Sequence, residues 1–221
     1  TLDAVAIESP PFFHPAQAAD AVSAGKHVCL AKPAAVDAPG CTTVQEAAAR
    51  ATANRLCLLV DFQTRANEFF VEALRRVHEG ALGRLAFGEA SYHAEDPFQE
   101  RAEYARAGGA ENMLRAWGLS RELSGDIIVE QNIHTLDVAS WIMNRPPLRA
   151  YGTGGRKVRD VGTCWDTFSV VFEYTDGVAI TFSSRQFNGH GTQPDGIRNR
   201  MFGADGVLET EYGGQVLIKG K

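Results

Sequence analysis

Glu130, His134, Asp137 and Trp141 fall at i, i+4, i+7 and i+11, the spacing that gathers side chains into one stripe of a helix. An imidazole titrates near neutrality and can take or give a proton. Carboxylates at helical spacing can orient it, or join it in holding a Zn²⁺ or Mn²⁺ ion, with His93 as a further ligand. No HExxH and no Cys/His spacing supports that metal alternative, which would serve isomerase or lyase chemistry. A helix face turned to water could carry the same charged groups without function, but Trp141 within the stripe is unusual for such a face. The stripe belongs to a helix expected over Gly125 to Met143, with Ile133, Leu136 and Ile142 supplying its packing.

The elements that must position these groups read in two textures. Ala4 to Ile7 is a short apolar run ended by Ser9-Pro10-Pro11, the pattern of a strand buried on both faces. An Ala-rich helix over His14 to Gly25 should follow, with Gly25 as its C-terminal cap. A second strand is expected at His27 to Leu30, a second helix at Thr42 to Asn54 and a third strand at Arg55 to Asp61. Strand, helix, strand, helix, strand is the rhythm of a doubly wound parallel sheet, whose ligand edge lies at the carboxyl ends of the strands. Ser9, Pro10, His14, Lys32 and Gln63 all fall just past strand ends. From Arg84 onward long alternating strands replace this rhythm: Arg84 to Glu95, Leu148 to Arg159, Asp166 to Tyr174 and Val178 to Gln186. In the third, Phe168, Val170, Phe172 and Tyr174 face one way and Ser169 and Glu173 the other, as in an antiparallel sheet covered on one side. Asp176-Gly177 and Asp205-Gly206 read as hairpin turns. The expected division is residues 1–65, the C-terminal half of a nucleotide-binding domain, and residues 66–221, an α+β domain with a large open-faced sheet.

Three segments carry a family resemblance: AVAIESPPFFH (4–14), AGKHVCLAKP (24–33) and VDFQTR (60–65). In this order and spacing they resemble the strand, helix and strand of the glucose-fructose oxidoreductase and inositol dehydrogenase family, the Gfo/Idh/MocA group. Gly125, His134, Asp137 and Trp141 match that family's active-site motif, with Glu130 where it has Asp. GDIIVEQNIHTLDV is closer still to a branch with GDHIVEQHIHNLDV. The carboxylate that normally precedes the motif lysine is absent, since Ala31 stands there. The resemblance implies an NAD- or NADP-dependent dehydrogenase of a secondary alcohol in a sugar, cyclitol or related polyol. It implies Lys32, Glu130 and His134 as catalytic residues and Ser9, Pro10, His14, Lys32 and Gln63 as cofactor contacts. Lys32, His134 and Asp137 would contact substrate. Such an oxidation needs a base to take the hydroxyl proton as hydride leaves, a role that the near-neutral pKa of His suits, although which group is the base stays open at the level of sequence, and the cofactor performs the difficult chemistry. The open sheet face commonly builds the oligomer, so a homo-oligomer is expected.

The dinucleotide fingerprint GxGxxG is not present. Gly152-Thr153-Gly154-Gly155 lies far downstream and reads as a bulge or turn. The chain opens on Thr1 and goes straight into an apolar run. The expectation is therefore a piece lacking the family's phosphate-binding start and closing C-terminal helix, and binding NAD or NADP poorly by itself. In that case a sheet-forming oligomerisation unit is the non-enzymatic alternative.

Composition bounds these readings. With 221 residues, 44% hydrophobic and 22% charged, the chain can bury a sizeable core. Its net charge of −5, with Lys and Arg scattered, leaves no footprint for nucleic acid or an anionic membrane, so a small-molecule partner is expected. Cys29, Cys41, Cys57 and Cys164 form no CxxC pair and read as reduced thiols. No apolar run is long enough to span a bilayer, and a cytoplasmic location is the expectation.

Overall fold

The computed structural model describes residues 2–188 and 196–220. The chain is an α/β protein with two compact units: 1–62, 98–131 and 160–164 form the first, and 63–97, 132–159 and 165–221 the second.

The first unit is built on a parallel sheet in the order β1 (Ala4–Ile7), β2 (His27–Ala31), β3 (Leu58–Asp61). The helices α1 (His14–Ser23) and α2 (Ala38–Ala53) connect the strands. Ala18 and Val22 of α1 and Val44, Ala47 and Ala51 of α2 pack on Ile7, Val28 and Leu30 to make the core. Gly25 has φ +73 and ends α1 as expected. Two boundaries differ from the expectation. The second helix starts four residues early because the Asp37 carboxylate accepts the Gly40 N–H at 2.8 Å and Pro39 fits the first turn. The third strand starts three residues late, since Arg55 sits at φ +58, a turn conformation rather than an extended one. The strands are also not buried on both faces: Ala4, Ala6, Cys29 and Leu59 are exposed. The helices cover one face only, and apolar composition alone does not reveal which. The same unit takes in the short helices α4 (Ala102–Ala107), α5 (Ala110–Arg115), α6 (Arg121–Ser124) and α7 (Ile127–Glu130), with α6 packed on the turn Pro11–Phe13.

The second unit begins with α3 (Glu68–His78), whose Phe70, Ala73, Leu74 and Val77 are buried, and continues into β4 (Leu85–Ala94). After α8 (Ile133–Met143) come β5 (Arg149–Gly155), β6 (Thr167–Glu173), β7 (Ala179–Gln186), β8 (Ile197–Gly203), β9 (Gly206–Glu211) and β10 (Val216–Gly220). The sheet order is β10-β9-β8-β4-β7-β6-β5, antiparallel except where β4 runs parallel to β7. The helix α8 lies over β4 and β8, and α3 packs on β10 and α8. Alternation then sorts the side chains. Tyr92, Ile180, Phe182, Met201 and Leu208 are buried, while Phe87, Glu89, Val171 and Thr181 are exposed on the opposite face. The expected turn Asp176-Gly177 is present between β6 and β7, while β8 turns into β9 one residue earlier than expected, at Ala204-Asp205, because Gly206 already pairs with Gly220 as the first residue of β9. The glycines at 152–155 are not a bulge or turn. They lie in regular pairing within β5, where a Cβ on Gly154 would come 2.5 Å from the Thr167 carbonyl oxygen.

Among the described residues no helix is long and apolar enough to cross a membrane. All four cysteines are free thiols.

Candidate functional site

In the first unit the side chain that stands out is Lys32, the residue after β2. Its ammonium donates to the Glu130 carboxylate oxygen Oε1 at 2.6 Å and to the Glu130 main-chain oxygen at 2.5 Å. The two side chains are 17% and 7% exposed, so this is a partly dehydrated ion pair joining residues 98 positions apart. The other carboxylate oxygen, Oε2, accepts from Gln131 Nε2 at 2.5 Å. These hydrogen bonds make Glu130 the anchor of Lys32, where the sequence suggested a carboxylate holding the His134 ring. Lys32 is further fixed by its loop. The ring of His14, 1% exposed, places Nδ1 at 2.8 Å from the Pro33 oxygen and Nε2 at 2.8 Å from the Ser9 oxygen, tying the loop after β1 to the loop after β2. Ser9 itself donates to Gln17 at 2.6 Å.

Glu130 is delivered by an unusual approach. Gly125 and Asp126 both have positive φ, +80 and +75. A Cβ at 125 would meet Val129 at 2.9 Å and the Val36 backbone at 3.1 Å, so only glycine fits. Asp126, 3% exposed, accepts from the Ile127 N–H at 2.8 Å and starts α7. A buried non-glycine residue in this region costs about 1–3 kcal/mol and persists only where its surroundings enforce it. The single helix expected over 125–143 is two helices: α7 ends at Glu130 and α8 begins at Ile133. The break has a visible cause, since the Glu130 carbonyl, an acceptor that a continuous helix would use internally, is bound by Lys32.

In the second unit His134, Asp137 and Trp141 share α8. His134 is 7% exposed and its ring lies 5.1 Å, centroid to centroid, from that of Tyr212. The Tyr212 hydroxyl accepts a hydrogen bond from Gln63 Nε2. Asp137 is gripped by Arg65, with Nη2 at 2.8 Å and Nε at 2.9 Å, and the same guanidinium lies 5.1 Å from the Trp141 ring. Trp141 sits among charged residues because it carries a cation on its face. Thr135 donates to the Ser91 carbonyl at 3.3 Å and accepts at its own carbonyl from Asn199 at 3.1 Å, which seats α8 on the sheet.

Of the residues singled out in the sequence, Ser9, Pro10, His14, Lys32 and Glu130 belong to the first unit, and Gln63, His134 and Asp137 to the second. Gln131, Arg65 and Tyr212 were not anticipated. Gln131 adjoins Glu130 and was open to suspicion, whereas nothing in spacing could pair Tyr212 with His134. His93 does not accompany the α8 residues. It lies on the other face of β4, with Nε2 at 3.0 Å from Ser183 Oγ, and its basicity is pushed down by burial and by Arg185 and Arg198. Among the described residues no group of three His, Cys, Asp or Glu side chains is placed to hold a metal ion.

A nicotinamide dinucleotide can be tested against these residues. The turn after β1 is Glu8-Ser9-Pro10, without glycine, so it is no pyrophosphate cradle. The residues that could hold the reactive end of such a cofactor are those at the strand ends. Ser9 and Gln17 line a cavity of about 320 Å³ beside β1, and Lys32 is anchored at the end of β2.

Residues 70–209 match a model described as the GFO/IDH/MocA C-terminal domain, and residues 1–58 match one described as an oxidoreductase family with an NAD-binding Rossmann fold. No curated protein sequence matches the chain. Among solved structures it is similar to the WlbA dehydrogenase from Bordetella pertussis in complex with NADH and UDP-GlcNAcA, at 19% identity and a TM-score of 0.82, covering 100% of this chain and 59% of that one. It is also similar to aldose-aldose oxidoreductase from Caulobacter crescentus complexed with glycerol, at 20% identity and a TM-score of 0.76, covering 99% and 60%. A third is myo-inositol 2-dehydrogenase from Lactobacillus plantarum, at 23% identity and a TM-score of 0.73, covering 95% and 57%. Identities this low establish the fold alone, and the chain spans about three fifths of each relative's length. With both family models matched in order along the chain, the protein belongs to the Gfo/Idh/MocA family of oxidoreductases.

Proposed function

We propose that the protein oxidises a secondary alcohol of a sugar, cyclitol or related polyol, with NAD or NADP as hydride acceptor, through Lys32, Glu130 and His134. The observation that carries this reading is the Lys32–Glu130 pair. A lysine at a strand end is common, but one anchored over 98 residues of chain by both a carboxylate and a main-chain carbonyl is held for a purpose. Two of the three ammonium N–H groups are used by Glu130, and the third is offered to the substrate oxygen.

When bound, the nicotinamide accepts the hydride from the carbinol carbon. His134 takes the hydroxyl proton, so that one proton and one hydride leave together and a carbonyl remains. Lys32 stabilises the negative charge that grows on the oxygen during that transfer. Ser9, Pro10 and His14 would hold the cofactor's reactive end, with Gln63 as a further contact, and Asp137, paired with Arg65, would orient substrate. The reading requires Lys32 and His134 to reach the same substrate carbon. It also places the enzyme in an oligomer formed through the open face of the seven-stranded sheet.

The test is NAD⁺ or NADP⁺ reduction by an active enzyme over a panel of sugars, cyclitols and uronic acids. Lys32→Ala and His134→Asn should each lower kcat by about 10²-fold or more, the usual scale for loss of a general acid or base. Parental turnover in both variants would remove this assignment.

A further inference from the structure

We propose that Tyr212 is the positioning residue for His134, holding the imidazole in one orientation. This rests on the reading of His134 as the proton acceptor. Three observations carry it, all within the second unit. The Tyr212 ring stands 5.1 Å from the His134 ring at an interplanar angle of 43°, inside the range in which aromatic pairs attract. Its hydroxyl is tethered by Gln63. Its backbone N–H is bonded to the Ile197 carbonyl at 2.9 Å, which continues the pairing of β8 beyond the end of β9.

The need for such a wall follows from the side chain itself. The terminal torsion of a histidine has a broad, roughly two-fold profile, so the contacts made at the ring decide which way its two nitrogens point. A proton acceptor must present one nitrogen to the substrate hydroxyl, and small misplacements of a reacting group cost rate steeply. Tyr212 suits the task because both ends of its side chain are fixed, the Cα by a strand and the hydroxyl by an amide from another segment. Gln63 thereby gains a second duty, to hold the wall. A phenylalanine at 212 would keep the ring and lose the tether, while an alanine would lose both.

The decisive experiment is side-chain NMR of the chain labelled in its six histidines, with the His134 signals identified by their disappearance in His134→Gln. In the parent the ring protons of His134 should give one narrow set, shifted by the Tyr212 ring current and showing Overhauser contacts to it. In Tyr212→Ala the shift should vanish and the signals should broaden or double as the ring turns over. Tyr212→Phe and Gln63→Leu should retain the shift with partial broadening. In an active enzyme Tyr212→Ala should lower kcat by about 10-fold to 100-fold, leave the KM for the dinucleotide unchanged, and be largely rescued by Tyr212→Phe. Unmoved His134 signals in Tyr212→Ala would overturn the proposal whatever the activity. Full activity in His134→Asn would instead overturn the functional reading and leave the ring contact standing.

Discussion

In the three-stranded sheet Val28 and Leu30 are buried, the Cys29 between them is exposed, and Leu59 on the next strand is 63% exposed. In the seven-stranded sheet Ile180 and Phe182 are each 2% exposed and the residue between them, exposed, is Thr181. Both sheets carry helices on one face, yet they are written differently. The large sheet places a polar residue at nearly every second position of β7, so the sequence itself states which face meets water. The small sheet is apolar at both, which is the composition of a strand covered twice. Apolar content therefore measures how much cover a strand calls for, and alternation measures which side receives it.

Core truncations give the sharpest break in this comparison. Phe182→Ala should cost about 3–5 kcal/mol and Leu30→Ala about 2–5 kcal/mol, because each removes a fully enclosed side chain from a packed layer. Leu59→Ser and Thr181→Val, on the uncovered faces, should change stability by less than about 0.5 kcal/mol. Denaturant midpoints of the four variants decide it. A loss of 2 kcal/mol or more in Leu59→Ser, on the order of a core truncation, would mean that the second face of the small sheet is covered after all.

That contrast also explains what could be read in advance. The strands β4, β5, β6 and β7 of the second unit were legible to within a few residues because their period is two and one face is polar, and the hairpin at Asp176-Gly177 carries its turn residues itself, whereas β8, β9 and β10 were not among the expected strands. The buried half of the small sheet was legible too, but its exposed half was not, since Ala4, Ala6 and Leu59 look like core. At the candidate site the residue types Lys32, Glu130 and His134 stood out by motif. The break at Gln131-Asn132 did not, because it depends on a lysine 98 positions away taking the Glu130 carbonyl. The positive φ of Asp126 was equally hidden, as nothing in an aspartate announces that conformation. Tyr212 meets His134 only through the fold, since 78 residues of chain separate them.

The open face of the large sheet offers the next test. Phe87, Tyr151 and Val171 are exposed there, interspersed with Glu89, Glu209, Arg198 and Arg200. We propose that a second copy of the chain covers it, since a face with both charge signs and scattered apolar groups is complementary to itself under a two-fold axis. Light scattering at micromolar concentration should then report a dimer or larger. Val171→Arg should weaken the association by about tenfold or more, the effect of placing an unmatched charge in a contact. A parent that runs as a clean monomer would leave this face to water, and the exposed aromatics without a role.

His93 reads the state of that same face through a smaller effect. It projects beside Ser183, with Arg185 of β7 and Arg198 and Arg200 of β8 nearby and Glu89 as the acidic neighbour on its own strand. Burial first, and the Arg185 and Arg198 charges second, hold its pKa below the ordinary value of 6.5. The sign follows from which state takes up the proton. As pH falls through 6.5 the unfolded chain binds a proton at His93 before the folded one does, so stability drops on the acid side of 6.5 and is unaffected well above it. His93→Gln, which can still bond to Ser183, should flatten that acid-side loss, and the readout is the difference between parent and variant midpoints on either side of pH 6.5. The effect should be modest, because the ring is only about half buried and solvent screens the two guanidinium charges. Association would change it in a defined direction. A carboxylate from a second copy settling against Arg185 and Arg198 would offset their repulsion and raise the His93 pKa, so the acid-side loss should shrink as protein concentration rises. A slope independent of both concentration and the His93→Gln change would mean that the face stays solvated and that other histidines govern the acid limb.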